Sequence, residues 1–122
     1  MVKGISFGNI SIDCQNPELL RDFYANLLGW ETFEIYGLFA LKSSDGLTLL
    51  FMEPDLHYEK PVWPEEQGAQ QKQMHLDFHV EDLESAVAEA ELLGASKTEA
   101  QFGDGHFITM LDPEGHPFCL CA

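Results

Sequence analysis

The chain contains an internal repeat, and this repeat restricts the possible folds more than any other feature. The stretches ISIDCQNPELLRDFYANLLGW and LDFHVEDLESAVAEAELLGAS each read as a short strand, a polar break, an amphipathic helix and Leu-Leu-Gly. Their glycines, Gly29 and Gly94, are 65 residues apart (94 − 29). Further on, SSDGLTLLFME and DPEGHPFCLCA each place a glycine turn before an apolar strand, with Gly46 and Gly115 separated by 69 residues (115 − 46). A whole supersecondary unit is therefore duplicated.

Each repeat carries the signals for one helix followed by three strands. Asn16 and Pro17 suit the N-cap and the first helical position, and a glycine after each helix suits the left-handed cap. A spacing of three and four residues predicts two buried helix faces, which are Leu20, Phe23, Tyr24, Leu27 and Leu28, and Leu83, Ala86, Val87, Ala90 and Leu93. The intervening strands are predicted at about 30–36, 37–43, 96–102 and 105–111. The module βαβββ therefore occurs twice.

The length of 122 residues predicts a single domain. Within it, module one covers about 1–53 and module two covers 74–122. The segment 54–73 between them is polar, contains prolines and shows no regular period, so it is interpreted as the connection. Trp63 lies in this connection and is interpreted either as a residue that closes over a ligand or as an anchor for the loop.

The charge balance excludes several classes of partner. Six Lys and Arg stand against 21 Asp and Glu, for a formal net charge of −15. Such a chain is not expected to bind nucleic acid or anionic membrane surfaces, and no apolar run approaches the roughly 18 residues of a membrane span. The N-terminus lacks the apolar core of a signal peptide, and three cysteines are an odd number. We therefore expect reduced thiols and a cytoplasmic protein.

Polar side chains alternate with apolar ones on three of the predicted strands. The residues on the polar faces are Asn9 and Ser11 on the first strand, His75, Asp77 and His79 on the fifth, and Cys119 and Cys121 on the last. Residues two apart in a strand share a face, so these groups are expected to line a ligand-sized space rather than the core. We expect Asp77 to be a buried carboxylate between two imidazoles. Neighbours on one face are roughly 6.5–7 Å apart, so a ligand or a water would bridge the three side chains.

These motifs are similar to those of the vicinal oxygen chelate superfamily, which includes glyoxalases, bleomycin-resistance proteins and extradiol dioxygenases. The matching stretches are NPELLRDFYANLLGW, HLDFHVEDLESAVAEAELLGA and DPEGHPFCL, and they look most like the glyoxalase-like branch. The resemblance implies an α+β fold in which tandem βαβββ modules form a curved mixed sheet around a cavity. It also implies a small-molecule ligand and a homodimer.

The resemblance further implies where a metal would bind. Metal-dependent members place four ligands on the first and last strands of each module, and these positions fall on Asn9, Leu50, His75 and Cys119. Leu50 has no ligand atom and Cys119 stands where glutamate is usual, so only His75 is a standard ligand. We therefore expect an incomplete metal site and no cofactor, with a divalent metal as the alternative. The residues themselves leave open a zinc-type site built from His75, His79, Cys119 and Cys121.

Two functions remain open from the sequence. Loss of the ligand set favours a protein that binds or sequesters a small metabolite or a drug-like ligand. Retention of His75 favours a lyase, isomerase or dioxygenase-type enzyme that uses a divergent metal or acid–base chemistry from Asp77 and His79. The predicted ligand-binding residues are Asn9, Ser11, Trp63, His75, Asp77, His79, Cys119 and Cys121.

Overall fold

Two units of the chain each carry one helix and four strands in the computed structural model, which describes residues 1–122. The units are Met1–Tyr58 and Glu59–Ala122. The boundary falls inside the predicted connection 54–73, most of which belongs to the second unit. Neither helix has the length and apolar character needed to cross a membrane.

The first unit has the order βαβββ. Its elements are β1 (Ile10–Asp13), α1 (Pro17–Leu28), β2 (Glu31–Ile35), β3 (Leu38–Lys42) and β4 (Thr48–Met52). The strands form one sheet in the order β1-β4-β3-β2, in which β1 runs parallel to β4 and the other pairs are antiparallel. The helix α1 contacts β2, β3 and β4 and so covers one face of this sheet.

The second unit repeats the same topology. Its elements are β5 (Leu76–His79), α2 (Leu83–Leu93), β6 (Ser96–Lys97), β7 (Phe107–Leu111) and β8 (Pro117–Cys121). The sheet order is β5-β8-β7-β6, again with a parallel first pair and antiparallel others. The predicted α+β fold with tandem βαβββ modules is confirmed, and the strands pair as two four-stranded sheets, one in each unit.

Both helices begin and end as their sequences predict. The side chains of Asn16 and Asp82 accept hydrogen bonds from the backbone N–H of Leu19 and Ser85, at 3.2 and 3.0 Å. These bonds satisfy N–H groups that have no partner within the helix. Gly29 and Gly94 follow the helices with φ angles of 69° and 117°, a region where side chains with a Cβ are strained.

The core of each unit lies between its helix and one face of its sheet. In the first unit Tyr24 stacks on Phe51 with ring centroids 6.0 Å apart, and both side chains are buried. In the second unit Phe78 and Phe118 meet edge to face at 6.0 Å. On the predicted face of α1, Leu20, Phe23 and Tyr24 are buried, and Leu27 and Leu28 are half-buried. On α2 only Ala90 is fully buried, and Leu93 is 39% exposed, so its predicted burial is wrong.

The second strand of module two is much shorter than its predicted span of 96–102. The strand ends at Lys97. One more backbone bond to β7 follows, from the N–H of Thr98 to the carbonyl of Thr109 at 3.2 Å, and the side chain of Gln101 adds to it. Its amide nitrogen donates to the carbonyl of Thr109, and the N–H of Thr109 donates back to its amide oxygen, both at 2.9 Å. The side chain thus makes the two bonds that a strand residue would have made. The periodicity of the sequence could not predict that a side chain would make the hydrogen bonds of a strand backbone.

Candidate functional site

Strands β5 and β8 bring the predicted polar residues of module two onto one face. The parallel register sets Asp77 opposite Cys119 and His79 opposite Cys121. The residues between them, Phe78 and Leu120, belong to the other face, and Leu120 is buried. The alternation therefore separates an apolar core face from a face that carries titratable groups, as the period of two requires.

His75 and Asp77 are in direct contact. The imidazole Nε2 lies 3.3 Å from a carboxylate oxygen of Asp77, so the expectation that the spacing of same-face residues keeps these side chains apart is wrong for this pair. A ligand or a water that bridges all three side chains stays a prediction. His75 precedes the first residue of β5, and its ring can lean along the strand over the 6.5–7 Å or so between same-face positions. The side chains of His75 and Asp77 are 41% and 56% exposed. The expectation of a buried carboxylate is therefore also wrong for this chain.

Cys119 completes a cluster of three groups that could hold a metal ion. One ligand atom from each of His75, Asp77 and Cys119 lies within 4.8 Å of the other two. We call these three residues the polar cluster. His79 and Cys121 lie opposite each other one row further along the strands. The polar cluster therefore shares His75 and Cys119 with the zinc-type set that the sequence left open, and it contains Asp77 where that set has His79 and Cys121.

The Cys119 thiol is held in place by a neighbour that the sequence did not indicate. The thiol and the hydroxyl of Thr109 are 3.6 Å apart, and Thr109 is directly opposite Cys119 in the antiparallel register of β7 and β8. Both residues are buried, and burial raises the pKa of the Cys119 thiol above its ordinary value. Burial and the nearby charge of Asp77 also raise the pKa of Cys121.

Gln101 and Thr109 are the residues that sequence reasoning missed. A threonine in the apolar strand FITML was a usable signal, because it shares the period of two that also exposed the cysteines. Gln101 gave no signal, because its role depends on a backbone that approaches it from residue 109. The amide of Gln101 fixes the backbone of Thr109, and that backbone sets the position of the hydroxyl beside Cys119.

Module one repeats the geometry of this row with different chemistry. The side chain of Asn9 donates to Ser11 at 3.0 Å, which matches the contact between His75 and Asp77 one module later. Ser11 lies opposite Leu50, as Asp77 lies opposite Cys119. Leu50 is only 6% exposed and is apolar, so the four positions that the resemblance implies do not fit a metal site of the usual family type.

Trp63 contacts both module two and the rest of the connection. Its ring meets Phe102 edge to face at 6.1 Å, and the Lys72 ammonium lies 4.6 Å from the ring centroid while also pairing with Glu65 at 2.6 Å. The indole N–H is buried and has no hydrogen-bond partner. These contacts favour the interpretation of Trp63 as an anchor for the loop, and its predicted role toward a ligand stays a prediction.

Solved structures with the same fold come from several bacteria. A glyoxalase family protein from Enterococcus faecalis is 22% identical, with 99% of this chain and 100% of that chain covered and a TM-score of 0.66. A glyoxalase/bleomycin resistance protein/dioxygenase family enzyme from Burkholderia phytofirmans PsJN is 14% identical, with 93% and 94% covered and a TM-score of 0.67. A glyoxalase/bleomycin resistance protein from Albidiferax ferrireducens T118 is 17% identical, with 94% and 96% covered and a TM-score of 0.63. At these identities the similarity shows the fold alone.

A comparison with curated protein sequences gave no significant match. The model of the glyoxalase-like domain family, in contrast, matches residues 9–121, which is nearly the whole chain. The match includes the residues of both polar rows, from Asn9 to Cys121. The chain therefore belongs to the glyoxalase-like domain family of the vicinal oxygen chelate superfamily.

Proposed function

We propose that the protein binds a small metabolite or a drug-like molecule through the polar cluster on β5 and β8. The observation that carries this proposal is the direct contact between His75 and Asp77 on an exposed face, with the Cys119 thiol within reach. Two groups with hydrogen-bonding capacity and a thiol can orient a polar ligand. The loss of ligand atoms at Leu50 favours binding over the metal-dependent chemistry of the family.

The remaining predicted ligand-binding residues of the second unit, Trp63, His79 and Cys121, join this proposal as further contacts to the ligand. Asn9 and Ser11 are proposed to contact a ligand from the equivalent row of module one. We also propose that the protein is a cytoplasmic homodimer. The similarity to the superfamily supports the dimer, and the three free cysteines suit a reducing compartment.

A catalytic function is the second candidate, and one specific observation favours it. An imidazole that lies 3.3 Å from a carboxylate and is partly exposed can transfer a proton to or from a bound molecule. A lyase or isomerase step would then need no metal. Turnover of any bound compound by the wild type, lost in His75→Ala, would favour this enzyme over a binding protein.

A ligand screen by thermal shift tests the proposed binding. The proteins are the wild type, His75→Ala, Asp77→Asn and a matched control, His106→Ala, whose histidine is exposed outside the polar cluster. The screen is run with a chelator so that metal binding does not contribute. A ligand at 100 times its Kd stabilises the folded state by about 2.7 kcal/mol.

We expect stabilisation of the wild type and of His106→Ala by the same compounds, and its loss or reduction in the other two variants. If the compounds stabilise all four proteins equally, the polar cluster is not the binding site. If no polar or anionic compound stabilises the wild type, the proposal of a small-molecule binder fails.

A further inference from the structure

We infer that the polar cluster binds a thiophilic divalent cation, of which Zn²⁺ is the type, through His75, Asp77 and Cys119 of module two alone. This inference goes beyond small-molecule binding, because it requires no organic ligand. It also departs from the family arrangement, in which both modules supply ligands.

The three donor atoms select the class of metal. Zinc is bound in proteins by cysteine sulfur, histidine nitrogen and carboxylate oxygen, which are the three donors of the polar cluster. Magnesium and calcium take oxygen ligands only, so a thiol and an imidazole would exclude them. The mixed set therefore points to zinc and to ions of similar softness.

The distances suit one shared ion after small side-chain movements. Ligands at the usual zinc distances of 2.0–2.3 Å in a tetrahedron are about 3.3–3.7 Å from one another. The imidazole and the carboxylate already lie 3.3 Å apart, and all three ligand atoms lie within 4.8 Å of one another. The longest separation therefore has to shorten by about 1 Å. His75 and Asp77 are partly exposed and free to make that adjustment, and their exposure gives the ion a path of entry.

The remaining ligand, Cys119, lies on a strand that is paired on both sides. It is buried in the central pair of the second sheet, with Asp77 opposite it on β5 and Thr109 opposite it on β7. Thr109 contacts the sulfur, and Gln101 bonds both backbone groups of Thr109. Supporting contacts of this kind orient metal ligands and raise affinity. Cys119 would thus hold the ion at a defined position, and His75 and Asp77 would move to complete the coordination.

Module one shows why the site is confined to one sheet. Its equivalent positions hold Asn9, Ser11 and Leu50, a set with one amide, one hydroxyl and one buried hydrocarbon. None of these is a usual zinc ligand. Three protein ligands leave the fourth tetrahedral position to water, which is the arrangement of zinc sites that also bind small molecules.

Titration of the untagged, chelator-stripped full chain with Zn²⁺ tests the inference, with Co²⁺ as a spectroscopic substitute. We expect one ion per chain and a thiolate-to-cobalt charge-transfer absorption. The variants are His75→Ala, Asp77→Asn and Cys119→Ser, with Cys14→Ser, which removes a buried thiol of module one outside the polar cluster, as the matched control. Loss of a ligand should weaken Zn²⁺ binding by at least about 100-fold, the upper end of the effect of losing a supporting contact.

The spectrum separates a ligand from a merely structural residue. Cys119→Ser should lose the charge-transfer absorption, and Cys14→Ser should keep both the absorption and the affinity. Should Cys119→Ser fail to fold, the two variants at exposed positions, His75→Ala and Asp77→Asn, carry the test. Absence of stoichiometric binding to the wild type, or equal losses at Cys119 and Cys14, would overturn the assignment. The small-molecule screen is run with a chelator, so its outcome is independent of this one.

Discussion

Modules one and two share one topology but differ in the chemistry of a single row of residues. In both modules the first strand is parallel to the last. In both, the side chain of the row residue on the first strand also contacts the side chain two positions before it, as Ser11 contacts Asn9 and Asp77 contacts His75. In module one the row reads Ser11, Leu50 and Ala40, and in module two it reads Asp77, Cys119 and Thr109. The same backbone thus carries a row without titratable groups and a row with a carboxylate and a thiol, so a difference in function between the modules would come from side chains and not from the fold.

The modules also differ in how they complete their sheets. Five residues of β2 pair with five residues of β3 in module one. In module two only Ser96 and Lys97 pair with β7 as a strand, and beyond them Thr98 donates to the carbonyl of Thr109 while the side chain of Gln101 bonds both backbone groups of Thr109. Module two therefore depends on one amide where module one depends on a backbone ladder.

The largest expected effect tests whether the two cores are equivalent. Phe51→Ala in module one and Phe118→Ala in module two each remove a fully buried ring. We expect each to lower the free energy of unfolding by about 3–5 kcal/mol in urea titrations, because a cavity remains where the ring was. Phe7→Ala, at a residue that is 72% exposed, is the control and should change little.

The same titrations test the prediction that residues 1–122 form a single domain. If they do, both variants should shift one common unfolding transition, monitored by two independent probes. Two separable transitions, each moved by only one of the variants, would contradict it.

The next effect tests the difference in sheet completion. Gln101→Ala should lower the free energy of unfolding by about 1–3 kcal/mol, because the backbone N–H of Thr109 loses its partner, while the carbonyl of Thr109 keeps the bonds donated by Thr98. Gln71→Ala, at an exposed position of the connection, is the matched control. If the two variants are equally stable, the side chain of Gln101 does not replace the missing strand.

A smaller effect tests a feature that the modules share. Asn16→Ala and Asp82→Ala each remove the N-cap of one helix, and each should lower the free energy of unfolding by about 1 kcal/mol. Asn16→Ser and Asp82→Ser should restore most of the loss, since serine also caps helices. Rescue in one module but not in the other would show that the two caps are not equivalent.

The smallest expected effect is a dependence of stability on pH that arises from Cys119 in module two and has no counterpart at Leu50 in module one. Burial raises the pKa of Cys119 above 9.0, so the folded state holds the thiol proton more tightly than the unfolded state does. The stability that this difference contributes is complete below about pH 9 and is lost as the pH rises through the folded-state pKa. Leu50, at the same position in module one, has no proton to lose.

Urea titrations of the wild type and of Cys119→Ala between pH 8 and pH 10.5 measure this effect. We expect the wild type to lose more stability than the variant over the upper part of this range. Equal losses in the two proteins would mean that Cys119 ionises as readily in the folded state as in the unfolded one.

Local signals in the chain predicted much of this molecule. Capping residues and left-handed glycines set the ends of both helices, and a period of two placed Asp77 and Cys119 on one face of their strands. These features depend on residues only a few positions apart, so their physical causes are present in the sequence itself. The repeat extended the same signals to a βαβββ module that occurs twice.

Tertiary structure alone decided how the site residues meet. The sequence predicted that His75, Asp77 and His79 act together, whereas the register of β5 against β8 grouped the first two with Cys119. The position of Thr109 beside Cys119 likewise followed from the pairing of β7 with β8. The role of Gln101 followed from the bonds that its side chain makes to the backbone of Thr109. Register and side-chain direction depend on contacts between distant segments of the chain, and a local pattern of polar and apolar residues carries no information about the partner.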